Sequence, residues 1–268
     1  MEKESVFDVS IARQLNEARQ SFIETFIGAL RERTKLTSVL DVGCGVGYFS
    51  EFLARMHFQV LALDGREENV TEASNRHPGI RFLVQDVEDK SIAELGAFDL
   101  VLCLGLLYHL ENPFRAIRNL FSVTGKVLLV ESMYVPGAQP MMDLLDEAAA
   151  PNQGMNYVAF YPSELCLIKM LYRSGFQFVY RFAQLPPGEQ YRATRYRKQS
   201  RTFLVGSKIS LDVSNLVLAP EPFRPHYGDT DPWSTRLARA REYCAARILN
   251  LRVFVARLLR LPGKSASR

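Results

Sequence analysis

Between residues 38 and 130 short apolar runs alternate with helical patterns, and this alternation confines the chain to a narrow class of folds. The runs cover 38–42, 59–63, 81–84, 98–102 and 126–130. Helical patterns start near Tyr48, Glu67, Ile92 and Pro113, with Asn112 reading as an N-cap and Pro113 as a first-turn proline. Strands that alternate with helices make a mostly parallel sheet with helices on both faces, a doubly wound α/β fold. Two later runs, 176–182 and 202–207, bring the strand candidates to seven. A further helix is expected over 163–174, stopped by Gly175. Another precedes the sheet over 11–33, where Ile11, Leu15, Phe22, Phe26 and Leu30 recur at helical spacing.

The ends of these strands carry the chemistry. Gly43, Gly45 and Gly47 follow the first strand in the segment VLDVGCGVG and precede a helix. A glycine turn in this position lets the backbone approach a ligand closely. Dinucleotides and S-adenosylmethionine both use such a turn. The dinucleotide fingerprint needs a glycine at position 48, where this chain has Tyr48. Asp41, just ahead of the loop, repels a pyrophosphate but suits the cationic amino group of a methionine moiety, whose carboxylate can take loop N–H groups. Asp64 ends the second strand, where a carboxylate accepts from ribose hydroxyls. Asp86 follows the third strand, placed for an adenine amino group, with Val87 offering a backbone N–H. Single acids at strand ends are often caps or turn residues. Three beside one glycine loop point to S-adenosylmethionine.

These segments, with FDLVLCLGLLYHLENP, resemble the class I S-adenosylmethionine-dependent methyltransferase family over about residues 35–130. The resemblance implies a Rossmann-like, seven-stranded, mostly parallel sheet whose last strand is antiparallel. It also implies cofactor contacts from Asp41, Gly43, Cys44, Gly45, Gly47, Asp64, Gly65, Asp86, Val87 and Leu104. More narrowly, GLLYHLENP, VLLVESM and NYVAFYPSELCLIKMLYRSGF resemble the tRNA wobble-uridine carboxymethyl-transfer group and related glycan and natural-product methyltransferases.

Methyl transfer is an in-line displacement that depends on positioning and exclusion of water. A hydroxyl acceptor also needs a base, and a histidine is suited to that work. His109, after the fourth strand, is the candidate, with Tyr108 beside it lining the methyl site. Its alternative is a turn cap. Glu131, at the end of the fifth strand, is expected to orient His109 or bind the acceptor, or else to serve as a supporting hydrogen-bond partner. Asn156, Tyr157 and Tyr161 fall in a segment, 132–162, that reads as an irregular lid over the acceptor. Arg192, Arg195 and Arg197 are either an anion site or solvated charges. No cluster with metal-ligand spacing is evident.

The division expected is a helical cap over 1–34, a methyltransferase domain over 35–210, a proline-rich linker over 211–233 and a basic amphipathic helix over 234–268. The last segment holds eight arginines and one lysine against Glu242, so the remainder is mildly acidic although the whole chain carries +4. Such a helix can dock on the body, self-associate, or lie on an anionic membrane surface. It offers few aromatics for stacking on nucleic acid. The charged start MEKESVFDVS and the scattered four cysteines are those expected of a cytoplasmic protein. The functional expectation is methylation of a small-molecule or glycan hydroxyl. The alternatives are tRNA modification and a non-catalytic S-adenosylmethionine sensor or scaffold.

Overall fold

The computed structural model describes residues 6–192 and 200–222. The basic tail, Arg195 and Arg197 lie outside the described residues. In chain order the elements are α1 (Ser10–Arg31), β1 (Ser38–Val42), α2 (Tyr48–Arg55), β2 (Gln59–Asp64), α3 (Glu67–Arg76), β3 (Arg81–Val84), β4 (Phe98–Leu104), α4 (Pro113–Val123) and β5 (Thr124–Tyr134). Then follow β6 (Met142–Asp146), β7 (Val158–Pro162), α5 (Glu164–Ser174), β8 (Phe178–Phe182), β9 (Ser200–Ser207) and β10 (Leu216–Leu218).

Eight strands form the main sheet in the order β10-β8-β9-β5-β4-β1-β2-β3. The run from β3 to β5 is parallel, while β9 lies antiparallel to both β5 and β8. This is the expected doubly wound, mostly parallel sheet, with one strand more than the seven foreseen. The extra strand, β10, pairs antiparallel with β8. It is only three residues long and is followed closely by Pro220 and Pro222, which is why 211–233 reads as linker. In fact residues up to Pro220 cluster as one compact unit.

Strand alternation sorts the core into two faces. Leu40, Val42, Val101, Cys103, Leu128 and Val130 join α4 and α5 on one face. Val39, Leu100, Leu102, Leu104, Val127 and Leu129 join α1 and α2 on the other. Helix α1 buries Ile23, Phe26, Ile27 and Leu30 at this second face, each contributing about 1.5–3 kcal/mol. The N-terminal helix is therefore a structural layer over this face of the sheet.

Three local expectations change. The stretch near Ile92 is a single 3₁₀ segment, Lys90–Leu95, closed by Gly96, too short for an α-helix. Asn112 makes no side-chain cap; its own N–H donates to Glu88 Oε1 at 2.6 Å. The lid segment contains a separate two-stranded antiparallel hairpin, β6–β7. Every residue of β6 (MDLLD) is exposed, so it lacks the half-buried alternation that marks a strand in sequence. Helix α5 begins and ends as expected. Ser163 accepts from the Cys166 N–H, and Gly175 closes the helix in the left-handed region at φ 117°.

Candidate active site

A cavity of about 430 Å³ lies beyond the carboxyl ends of the parallel strands. Ligands of open α/β sheets bind at this edge. Gly43, Cys44 and Gly45 of the first loop line it, followed by Asp64 and Gly65 after β2, Asp86 and Val87 after β3, and Leu104 closing β4. Tyr108, His109 and Asn156 line the opposite part. The glycine loop depends on its sequence for steric reasons. A Cβ on Gly43, at φ 71°, would come 2.9 Å from Leu106 Cδ2, and one on Gly47, at φ 88°, would come 2.8 Å from His77 Cδ2.

Four of the loop's N–H groups are spent internally, contrary to expectation. Gly43 and Cys44 donate to the Leu63 carbonyl at 2.8 and 3.0 Å, Gly47 donates to the Cys44 carbonyl at 3.0 Å, and Gly45 donates to Asp64 Oδ2 at 2.9 Å. Asp64 Oδ1 accepts from the Arg66 N–H at 2.9 Å and from Asn69 Nδ2 at 3.1 Å. The Asp64 carboxylate is thus aimed along the cavity wall by three donors. Asp86 Oδ1 accepts from the Glu88 N–H at 2.8 Å, which fixes its direction too.

Asp41 does not reach the cavity. It is 2% exposed and accepts from Ser50 Oγ at 2.6 Å. Burial, followed by the Asp64 charge, outweighs this hydrogen bond and pushes the Asp41 carboxyl up to about 6. The reason is parity: Asp41 shares the α2-facing side of β1 with Val39, so it supports the loop from beneath.

Of the roles expected for Glu131, the supporting hydrogen-bond partner is the one its contacts match, and orienting His109 is not. It ends up away from His109, fully buried, on the α1-facing side of β5 with Val127 and Leu129. Its Oε2 accepts from Arg19 Nη2 of α1 at 2.7 Å. Arg201 Nη1 of β9 donates to both oxygens at 3.1 Å, and the Tyr191 hydroxyl donates to Oε1 at 3.3 Å. Burial alone would raise its pKa, but Arg19 and Arg201 more than offset this and hold the carboxyl below 4.5. With both oxygens held by arginines, Glu131 is a structural anion and takes no acceptor proton. Arg201 reaches onward to the Tyr108 hydroxyl at 3.0 Å, so the cluster orients a cavity wall.

The partner of His109 is Glu147, which follows β6 and was not anticipated. His109 Nδ1 lies 2.7 Å from Glu147 Oε1 and 2.9 Å from Oε2. An ionised carboxylate there keeps the proton on Nδ1 and leaves the Nε2 lone pair free. Burial pushes the imidazole below its ordinary 6.5; Glu147 pulls it back only in part, and the Arg201 charge adds to the lowering. His109 is therefore neutral at pH 7. The Tyr108 ring packs on it at 4.1 Å between centroids.

Of the remaining lid residues, Asn156 Nδ2 donates to Glu111 Oε2 at 3.0 Å while lining the cavity. Tyr161 packs edge-on to Tyr108 at 5.4 Å, behind the wall. Tyr157, 56% exposed and at φ 58°, faces solvent, which removes it from the acceptor set. Arg192 is exposed. Among the described residues no group of histidines, cysteines and acids is arranged to hold a metal ion. No helix of the described residues is long and apolar enough to cross a membrane.

Residues 40–126 match the family model of the methyltransferase domain. Over these residues the chain carries a methyltransferase domain. A ubiquinone biosynthesis O-methyltransferase of Xanthomonas euvesicatoria pv. vesicatoria is 34% identical over 131 residues, which is 46% of this chain and 53% of that protein. A protein of the same description from Xanthomonas campestris pv. campestris is 40% identical over 84 residues, covering 30% of this chain and 35% of its own. The chain thus spans about half, or less, of the length of these curated relatives. The N-terminal domain of EvdMO1, solved with SAH bound, shares the fold at a TM-score of 0.59 and 22% identity, over 70% of this chain and 80% of that one. The aligned stretch of the methyltransferase domain includes the glycine loop, Asp64, Asp86 and His109, whereas Glu131 and Glu147 lie past its end.

Proposed function

We propose that this chain is an S-adenosylmethionine-dependent methyltransferase that acts on a hydroxyl of a small-molecule acceptor, with His109 as the base. The observation that carries this reading is the grip of Glu147 on His109 Nδ1 at the cavity wall, which presents a bare, neutral Nε2. A protein that only senses the cofactor has no use for a carboxylate-oriented imidazole there. The O-methyltransferase relatives support oxygen as the acceptor atom.

The residues present fit the cofactor. Asp64 can accept from two ribose hydroxyls, and Asp86 with Val87 suits an adenine edge. With four of the loop amides spent, a cation of the cavity wall is needed for a methionine carboxylate, and Arg19 is the one assigned to it. It lines the cavity, and its buried Nε has no hydrogen-bond partner. When bound, the cofactor supplies an electrophilic methyl group. His109 Nε2 would take the acceptor's hydroxyl proton, leaving the oxygen able to accept the methyl group that the cofactor would supply. Tyr108 and the lid exclude water from the reacting atoms.

Incubation with labelled cofactor and pools of phenolic, aliphatic and glycan hydroxyl compounds is expected to yield a methyl ether. Labelled nitrogen or carbon products would overturn the oxygen assignment. Binding without transfer to any pool would favour the sensor. Asp64→Ala is expected to weaken S-adenosylmethionine binding about 10- to 100-fold by calorimetry, as charge-assisted hydrogen bonds are lost. Unchanged affinity would remove the ribose assignment.

A further inference from the structure

Besides the Asn156–Glu111 bond, the lid between β6 and β7 contacts the His109 turn and the edge that carries Asp64, and the same few residues link the two. At the base, Glu147 holds His109, and the Gly154 N–H donates to Glu147 Oε2 at 2.8 Å. Gly154 is pressed onto the His109 turn so closely that a Cβ there would come 2.5 Å from the His109 carbonyl oxygen. At the donor edge, Arg66 Nη2 donates to the carbonyls of Gln153 at 3.2 Å and Gly154 at 3.3 Å. Asn69 Nδ2 donates to the Pro151 carbonyl at 3.4 Å, and Met155 Cε covers Gly65, where a Cβ would come within 2.9 Å of it. Arg66 and Asn69 are also two of the three donors that aim Asp64.

A two-stranded hairpin is marginal by itself, and β6 is exposed throughout. The position of Glu147 therefore depends on where the intervening loop is fastened. Both fastenings on the donor side come from the turn and first helical turn that follow Asp64.

We propose that Arg66 and Asn69 are positioning residues, fastening the lid to the ribose-side turn so that Glu147 stays on Nδ1 of His109. Through them the donor edge and the base form one unit. A donor that engages Asp64 then also steadies the lid that completes the base. This rests on the reading of His109 as the base, and the test separates the two.

The groups facing the His109 ring or its partner are Glu147 from the lid, Arg201 from β9 and the phenols of Tyr108 and Tyr161. The test is the titration of the His109 ring protons by NMR in the ligand-free protein, assigned with His109→Ala among the four histidines. Wild-type His109 is expected to titrate below 6.5. Arg66→Ala frees the lid and admits water to the ring, so the midpoint should rise toward 6.5. Glu147→Gln leaves the lid fastened but removes the carboxylate that raises the pKa, so the midpoint should fall further. Hydrogen exchange at the Gly154 amide should quicken in Arg66→Ala, and kcat should drop about 10- to 100-fold. Asn69→Ala should do the same to a smaller degree, and provides a second variant should Arg66→Ala fold poorly. An unchanged His109 midpoint and unchanged Gly154 exchange in both variants overturns the proposal. If the midpoints move as stated while His109→Ala keeps full turnover, the clamp stands and the base assignment fails.

Discussion

His109→Ala is expected to lower kcat by about 10²- to 10⁴-fold while leaving S-adenosylmethionine affinity within a factor of about two. The loss is that of a positioned proton acceptor, because an alanine leaves the hydroxyl proton to water. Affinity is spared because the residues proposed to hold the donor, Asp64, Asp86 and the glycine loop, lie at or just after the ends of β1, β2 and β3 and do not hydrogen-bond the imidazole. The wild-type pH profile carries a matching signature. Only neutral imidazole accepts a proton, so kcat should rise with pH along an acid limb and then level off. Burial holds the His109 pKa below 6.5, so the midpoint of that limb should lie below 6.5. A limb centred clearly above 6.5, or turnover unaffected by the substitution, would remove His109 from the chemistry.

Glu131→Ala is the substitution with the largest expected effect on stability. It leaves the buried guanidinium groups of Arg19 and Arg201, 9% and 15% exposed, facing each other without their shared anion. Breaking a buried ion pair from one side costs about 3–5 kcal/mol. For a domain of this size that is a fall in Tm of roughly 6–20 °C by calorimetry. Because Arg201 also holds the Tyr108 hydroxyl, any folded fraction should lose turnover as well. The pH dependence has a definite sign. The folded pKa of Glu131 is depressed below its ordinary 4.5, so its contribution to stability is fully present above about 4.5 and is lost as pH falls through the depressed value. The double variant Glu131→Met with Arg201→Met should be less damaging than the sum of the two single changes, since it removes charge from both sides. A loss below about 1 kcal/mol for Glu131→Ala would show that the cluster is relaxed by water rather than buried.

The parallel half of the sheet was legible almost strand by strand, because each strand from β1 to β5 is a short apolar run punctuated by a loop or helix signal. β6 and β10 were not. One is wholly exposed and the other three residues long, so neither carries a periodic signature. In the site, Asp64, Asp86 and the glycine loop were legible because a strand end, a turn and a helix start are local events. Arg19 was invisible, since a helical arginine carries no sign of the face it will meet. Glu147 sits in a run of acid and alanine between prolines, and nothing in that run names a histidine 38 residues earlier.

Glu131 and His109 show the boundary most clearly. Both stand at the carboxyl end of the sheet, and sequence reasoning paired them. Their separation follows from pleat parity and from α1: the period of two sends Glu131 to the same side as Val127 and Leu129, where Arg19 waits. The mostly parallel sheet, its glycine loop and the acids at its strand ends follow from the sequence alone, since strand period, loop glycines and strand-end acids act over a few neighbouring residues. The His109–Glu147 pair, the buried arginine cluster and the lid contacts came only with the tertiary structure. Each joins elements whose meeting depends on which face of the sheet a helix covers and where a loop is pinned.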